Sequence, residues 1–188
     1  MEVQTEKNKI QKIINTFKTD LIQYAKHCLK IIDKQGKLIA LNLNAAQQQL
    51  DKQINEQYKK HGRVRILILK SRQTGISTYC QARGFWKTVS AQNQNAVVVS
   101  HLNESTKAIF GMVKNFYDNL PHPIVTPDLK ESTTNSMAFT HGSRWRIATA
   151  RTGEVGRGWT TNYLHGSEVA FYPNADIIPG LLQTVPEA

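Results

Sequence analysis

The stretch from Arg65 to Arg83 constrains the fold of this chain more than any other. It opens with the aliphatic run Ile66 to Leu69, which predicts a short strand buried on both faces, as in the parallel sheets of α/β domains. A polar segment, Lys70 to Ser77, follows with one glycine, and residues 79–89 can then form a helix. The order strand, tight loop, helix predicts an α/β fold built around this segment.

The loop in this stretch predicts an anion-binding site. Free N–H groups at a helix N-terminus attract phosphate, and the hydroxyls of Ser77 and Thr78 stand where a side chain can reach a metal ion. The usual pattern, G-x-x-x-x-G-K-[ST], would place glycines at Lys70 and Gly75, a lysine at Ile76 and a hydroxyl at Ser77, so its first glycine and its lysine are missing. An ordinary strand-to-helix turn remains the alternative.

Two cations elsewhere in the loop, Lys70 and Arg72, can replace the missing lysine. A charge about 4 Å from a phosphate oxygen contributes roughly 4 kcal/mol at an effective dielectric constant of about 20, so a triphosphate site needs such a cation. The sequence KSRQTGIST resembles the deviant Walker A motif of the large terminase subunits of tailed phages, which package DNA. There an Arg-Gln pair precedes the loop glycine, and some branches have an apolar residue at the lysine position.

The resemblance implies a P-loop NTPase fold of the ASCE type that binds ATP and Mg²⁺. Backbone amides from Gly75 to Thr78 would hold the phosphates, Ser77 would bind the magnesium ion, and Lys70 or Arg72 would supply the transferred charge. The implied nucleotide-binding residues of this loop are Lys70, Ser71, Arg72, Gln73, Thr74, Gly75, Ile76, Ser77 and Thr78.

Composition favours one domain with a polyanionic partner. The chain has 188 residues, 40% of them apolar, and a formal net charge of +10. Nucleic acid is the favoured partner, and a solvated lysine-rich face is the alternative. The polar N-terminus and the lack of a long apolar run predict a cytoplasmic protein with no membrane segment. Cys28 and Cys80 fit no metal or disulfide pattern, which predicts reduced core residues.

Two regions are predicted: residues 1–42 as an N-terminal amphipathic helix with a short hairpin, and residues 43–188 as the P-loop domain. Apolar residues recur at helical spacing over residues 8–32, which predicts one amphipathic helix that packs on the domain or, alternatively, contacts DNA or a partner. Asn44 is the predicted N-cap of the next helix. The amide of Gln47 can donate and accept as an adenine edge requires, and its position resembles the adenine-reading glutamine of terminases and helicase-like ATPases.

Downstream of the loop, strand and helix alternate. Residues 95–101 predict a buried strand, residues 104–119 a helix, and residues 136–139 with 144–148 a hairpin or two neighbouring strands. This alternation predicts a mainly parallel central sheet.

A glycine-rich segment, residues 150–160, brackets Arg157 between glycines. Such a segment is typical of a simple turn or of close backbone approach. It also resembles the Arg-Gly-x-Thr segment of terminases, which implies that Arg157 is an arginine finger for the triphosphate of a neighbouring subunit. A finger of this kind contributes roughly 10³ to 10⁵ in rate.

The segment from Thr161 to Phe171 occupies the position of a Walker B strand. Glu168 stands alone in an uncharged stretch, where a carboxylate is costly unless it has a task. The sequence resembles the terminase-like branch that has serine for the Walker B aspartate. This implies that Glu168 activates water and that Ser167 holds Mg²⁺ through water. A metal pair of His165 with Glu168 is rejected, because side chains at i and i+3 of a strand face opposite ways.

Together these features predict the ATPase portion of a large terminase, incomplete at its C-terminus and without nuclease activity. Its implied partners are double-stranded DNA, the portal protein, the small terminase subunit and further copies of itself in a ring, in the host cytoplasm during virion assembly. The alternatives are a nucleotide- and DNA-binding fragment without turnover and a helicase-like ATPase of another family.

Overall fold

A computed structural model describes residues 2–121, 127–150, 160–174 and 176–186, with side chains from residue 5 onward. The helices are α1 (Glu2–Thr19), α2 (Leu21–Cys28), α3 (Ala45–His61), α4 (Ile76–Ser90), α5 (Asn103–Asp118) and α6 (Ile177–Leu182), with a 3₁₀ turn at Val169–Phe171. The strands are β1 (Lys30–Ile32), β2 (Leu38–Ala40), β3 (Asn95–Ser100), β4 (Leu129–Ser132), β5 (Ser136–Phe139), β6 (Arg144–Thr149) and β7 (Tyr163–Gly166).

The protein has an α/β fold around a five-stranded mixed sheet in the order β4-β5-β6-β3-β7. β3 pairs in parallel with both β6 and β7, whereas β5 is antiparallel to both β4 and β6. The prediction of a mainly parallel sheet therefore holds for the β6-β3-β7 half. The other half is antiparallel because a tight turn joins β5 to β6, which are the predicted neighbouring strands.

The interior strand β3 is buried, as predicted, and its side chains are buried on both faces. Ala96 and Val98 belong to a large hydrophobic core that also contains residues of α4 and α5. Val97 and Val99 face the other side, where they pack with Leu181 of α6. Side chains alternate across a strand, so one apolar run supplies both cores. The carboxyl end of β3 thus lies between two helical layers, next to the end of β7.

The predicted strand at Ile66 to Leu69 is wrong. These residues form neither helix nor strand and pair with none of the described strands. Leu67 and Leu69 are 94% and 102% exposed, and Ile66 and Ile68 are each 37% exposed. An apolar run becomes a buried strand only where a neighbouring strand accepts its backbone hydrogen bonds. Here β6 and β7 already occupy both edges of the interior strand β3.

The prediction of a single helix over residues 8–32 is also wrong, because the helix is interrupted at Asp20. Its side chain accepts a hydrogen bond from Gln23 N (3.0 Å) and so caps α2. The last residues of the predicted helix form β1 instead, which pairs with β2. Apolar periodicity continued through the break because α2 packs in the same core as α4.

The N-terminal elements contact the rest of the fold directly. Trp86 Nε1 donates to the Phe17 carbonyl (2.7 Å), and Asn115 Nδ2 donates to the Lys30 carbonyl (2.8 Å).

Cys28 and Cys80 are free and buried, which confirms the prediction of reduced core cysteines. Among the helices that the structure describes, none combines the length and apolarity that a membrane crossing requires.

Candidate phosphate-binding loop and strand-end carboxylate

The loop before α4 reverses the chain through two residues with left-handed backbone angles, Gln73 (φ 61°) and Gly75 (φ 73°). Gly75 is the N-cap of α4, and in the described part of the chain no side chain caps this helix end. The first amides of a helix lack intrahelical acceptors, so this end presents N–H groups to a ligand. The side chain of Ile76 is buried in the core, so at this position only the backbone can serve a phosphate.

The loop rests on the N-terminus of α3. Asn44 caps α3, as predicted, in a capping box that it shares with Gln47. Asn44 Nδ2 also donates to the Thr74 carbonyl (3.1 Å), and Gln47 Nε2 donates to the Gly75 carbonyl (2.7 Å). Gln47 is only 4% exposed. The structure therefore brings Gln47 to the predicted phosphate loop, directly beneath its glycine.

The cations of the loop, Lys70 and Arg72, are both exposed, as are Ser71 and Gln73. Burial lowers the pKa of His165 on β7 to about 4, and the positive charge of Lys70 contributes in the same direction. His165 is therefore neutral near pH 7. Its Nδ1 lies 3.0 Å from Gln81 Nε2 on α4 and accepts that amide proton. This contact joins the helix that follows the loop to the strand that precedes Glu168.

The carboxylate of Glu168 lies at the carboxyl end of the parallel pair β3 and β7. Its Oε2 is 3.0 Å from Nδ1 of His101, which directly follows β3; the two atoms are at ion-pair distance without the alignment of a hydrogen bond. The ring of His101 packs against Phe171 with centroids 5.6 Å apart. Glu168 has a left-handed backbone (φ 56°), which is uncommon for a residue other than glycine.

Oxygen donors for a hard cation are present in both segments. Ser77 is half-buried at the start of α4, and Ser167 is buried after β7, where its amide donates to the Val99 carbonyl (2.8 Å). Hydroxyl and carboxylate oxygens suit Mg²⁺, which keeps several waters and takes few protein ligands. Ser77, Ser167 and Glu168 thus carry oxygen atoms of the type that Mg²⁺ accepts.

Two functional candidates had not been predicted from the sequence. Asn44 was expected only as a helix cap, and its contact to the loop depends on tertiary packing. His101 had a weak signal, because a polar residue directly after a buried parallel strand lies at the edge where sites form. Arg157 lies outside the described residues, so its predicted role stays a prediction.

In comparisons with known proteins, no family model matches the chain and no curated protein matches it.

Proposed function

We propose that this chain is an ATP-hydrolysing motor domain of the large-terminase type, with a P-loop NTPase fold, which drives double-stranded DNA into a phage prohead. The observation that carries the proposal is the loop at the start of α4. It combines a left-handed glycine, an open helix N-terminus and two exposed cations, Lys70 and Arg72, which together suit a triphosphate.

Each site residue has a defined task in this proposal. Backbone amides from Gly75 to Thr78 bind the phosphates, while Lys70 or Arg72 offsets the charge that develops on transfer. Glu168 orients and polarises the attacking water, and Ser77 with Ser167 would hold a magnesium ion, which supplies electrostatic stabilisation when bound. Arg157 reaches the site of a neighbouring subunit in a homo-oligomeric ring.

The distribution of charge supports a nucleic-acid partner. No acidic residue stands between Glu56 and Glu104, and this stretch contains eight Lys and Arg residues. Four of them are exposed at the end of α3 and just after it: Lys59, Lys60, Arg63 and Arg65. Such a cluster favours phosphate-backbone contacts, whose affinity falls steeply with salt. The portal protein and the small terminase subunit are the proposed protein partners, in the cytoplasm of the host.

A second candidate is a protein that binds nucleotide and DNA without turnover. Two observations favour it: a neutral serine, Ser167, stands where an aspartate would bind magnesium more strongly, and the Glu168 carboxylate is paired with His101. A helicase-like ATPase of another family is a third reading, which the loop equally suits.

The test is magnesium-dependent ATP hydrolysis over a range of protein concentrations, with and without DNA. We expect turnover that vanishes in Glu168→Gln and that rises with protein concentration only while Arg157 is intact, as checked with Arg157→Ala. Glu131→Gln, the same chemical change on the exposed face of β4, is the matched control. Nucleotide binding without turnover would favour the second candidate, and absence of binding would overturn the assignment of the loop.

A further inference from the structure

Two neighbouring carbonyl groups of the loop are held by side chains of the preceding helix. Asn44 Nδ2 donates to the Thr74 carbonyl (3.1 Å) and Gln47 Nε2 to the Gly75 carbonyl (2.7 Å). In a planar trans peptide the C=O of one residue and the N–H of the next point in opposite directions. Holding these carbonyls toward α3 therefore turns the N–H groups of Gly75 and Ile76 away from α3.

The same contacts use both polar atoms of the Gln47 amide. Its Oε1 accepts a hydrogen bond from Asn44 N (2.8 Å), while its Nε2 donates to Gly75. Reading an adenine edge requires one donor and one acceptor of an amide to turn together toward the base. In this buried position that rotation would leave the Asn44 N–H and a Gly75 contact unmade.

Gly75 packs closely against the Gln47 amide. Its backbone is left-handed, and a Cβ built on it would lie 2.8 Å from Gln47 Nε2. A side chain at position 75 would therefore both strain the backbone and push the amide off the carbonyl. Helix cap, glutamine amide and loop glycine form one packed unit.

We propose that Asn44 and Gln47 are positioning residues that aim the backbone amides of the phosphate loop, and that the Gln47 amide serves the loop rather than the base. The proposal rests on the proposed nucleotide-binding function of this loop and specifies how it selects its ligand. Recognition is directed at the triphosphate group, and Gln47 does not discriminate between adenine and guanine nucleotides.

The test uses two substitutions that keep the helix cap and delete one donor to the loop. Asn44→Ser retains a side-chain oxygen that can cap the helix, without any change of charge, and Gln47→Glu retains the acceptor of the capping box. Gln49→Glu is the matched control for added charge, because Gln49 is exposed on the same helix and has no side-chain hydrogen bond to the described residues.

Binding of ATP, GTP and inorganic triphosphate, each with Mg²⁺, is measured by calorimetry on the full chain. We expect similar affinities for ATP and GTP, and a loss of roughly five- to tenfold for all three ligands in Asn44→Ser and Gln47→Glu. Gln49→Glu should bind like the unmodified protein. A strong preference for ATP that Gln47→Glu removes, with triphosphate binding unchanged, would overturn the proposal.

Hydrogen exchange of the nucleotide-free protein separates this inference from the function on which it rests. Amides of residues 73–77 should exchange faster in Asn44→Ser and Gln47→Glu than in Gln49→Glu, at matched urea unfolding midpoints. If no ligand binds to the unmodified chain, the proposed function fails while exchange still tests the positioning role. Unchanged exchange in both variants would refute that role.

Discussion

A buried ion pair between α3 and α4 should contribute strongly to stability. Arg83 Nη1 lies 2.6 Å from Asp51 Oδ1, and the two side chains are 15% and 6% exposed. The same carboxylate accepts hydrogen bonds from Tyr79 OH and Asn55 Nδ2, each at 2.8 Å. Arg83 also donates to Asn55 Oδ1 (2.9 Å). Because α4 starts at the candidate loop, this network fixes the two helices that form the site.

We expect Arg83→Met to lower the free energy of unfolding by about 3 kcal/mol. Removing one member of a buried pair costs about 3–5 kcal/mol, because the remaining charge is left without its partner. The lower end applies here, since Tyr79 and Asn55 still bind the Asp51 carboxylate. For a chain of this size the loss corresponds to a decrease in Tm of roughly 6–12 °C.

The assay is urea unfolding followed by tryptophan fluorescence and circular dichroism, within a double-mutant cycle that includes Asp51→Asn. The double variant should lose less than the sum of the single losses, because no charge is then left unpaired. Lys52→Met is the control: Lys52 pairs with Glu56 at 3.9 Å on the exposed side of α3, where such a pair is worth less than about 0.5 kcal/mol. A loss below about 1 kcal/mol for Arg83→Met, or an additive cycle, would refute the reasoning.

Three further measurements test other parts of the structure. Because burial lowers the pKa of His165 from 6.5 to about 4, its contribution to stability is complete above pH 6.5 and is lost as the pH falls toward 4. His165→Asn should flatten this loss, which is at most roughly 3 kcal/mol, in urea unfolding at stepped pH. Gly84→Ala should destabilise by roughly 1–3 kcal/mol in thermal unfolding. The reason is that its Cβ would lie 2.6 Å from the Tyr163 ring, and a gain in stability would contradict the packing. Leu67→Lys should reduce self-association in light scattering at unchanged stability, because Leu67 is 94% exposed; a loss of stability would show that it is buried after all.

The sequence was sufficient for the α/β class and for the helices around the site, for identifiable reasons. Asn44 followed by Gln47 is a local capping signal, and the structure confirms it. The run Ala96 to Val99 is buried on both faces because it lies inside the sheet, between β6 and β7, and helices pack on both sides of it. Ile66 to Leu69 has the same apolar character and lies outside the sheet. Apolarity predicts a need for burial but does not specify the strand that would provide it.

The candidate site, like the fold, could be predicted from the sequence only in part. The motif pattern located the loop and Glu168, because glycine, hydroxyl, cation and an isolated carboxylate are signals within short segments. The residues that hold them, Asn44 beneath the loop and His101 beside Glu168, belong to segments distant in sequence. Their contacts depend on how α3 meets α4 and how β3 lies beside β7, which no local pattern encodes.

The contacts of Asn44 with the loop and of His101 with Glu168 indicate that binding and turnover are separable properties of the proposed ATPase. In the proposed ATPase the loop supported by α3 is the binding element, and Glu168 after β7, beside His101, is the turnover element. The contact between Gln81 and His165 joins the two elements through the interior of the fold. One oxygen of the Glu168 carboxylate lies 3.0 Å from His101 Nδ1, so a change at position 101 alters the surroundings of the group that is proposed to polarise water. Substitutions beneath the loop should therefore weaken ligand binding, whereas substitution of His101 should change turnover with ligand binding retained.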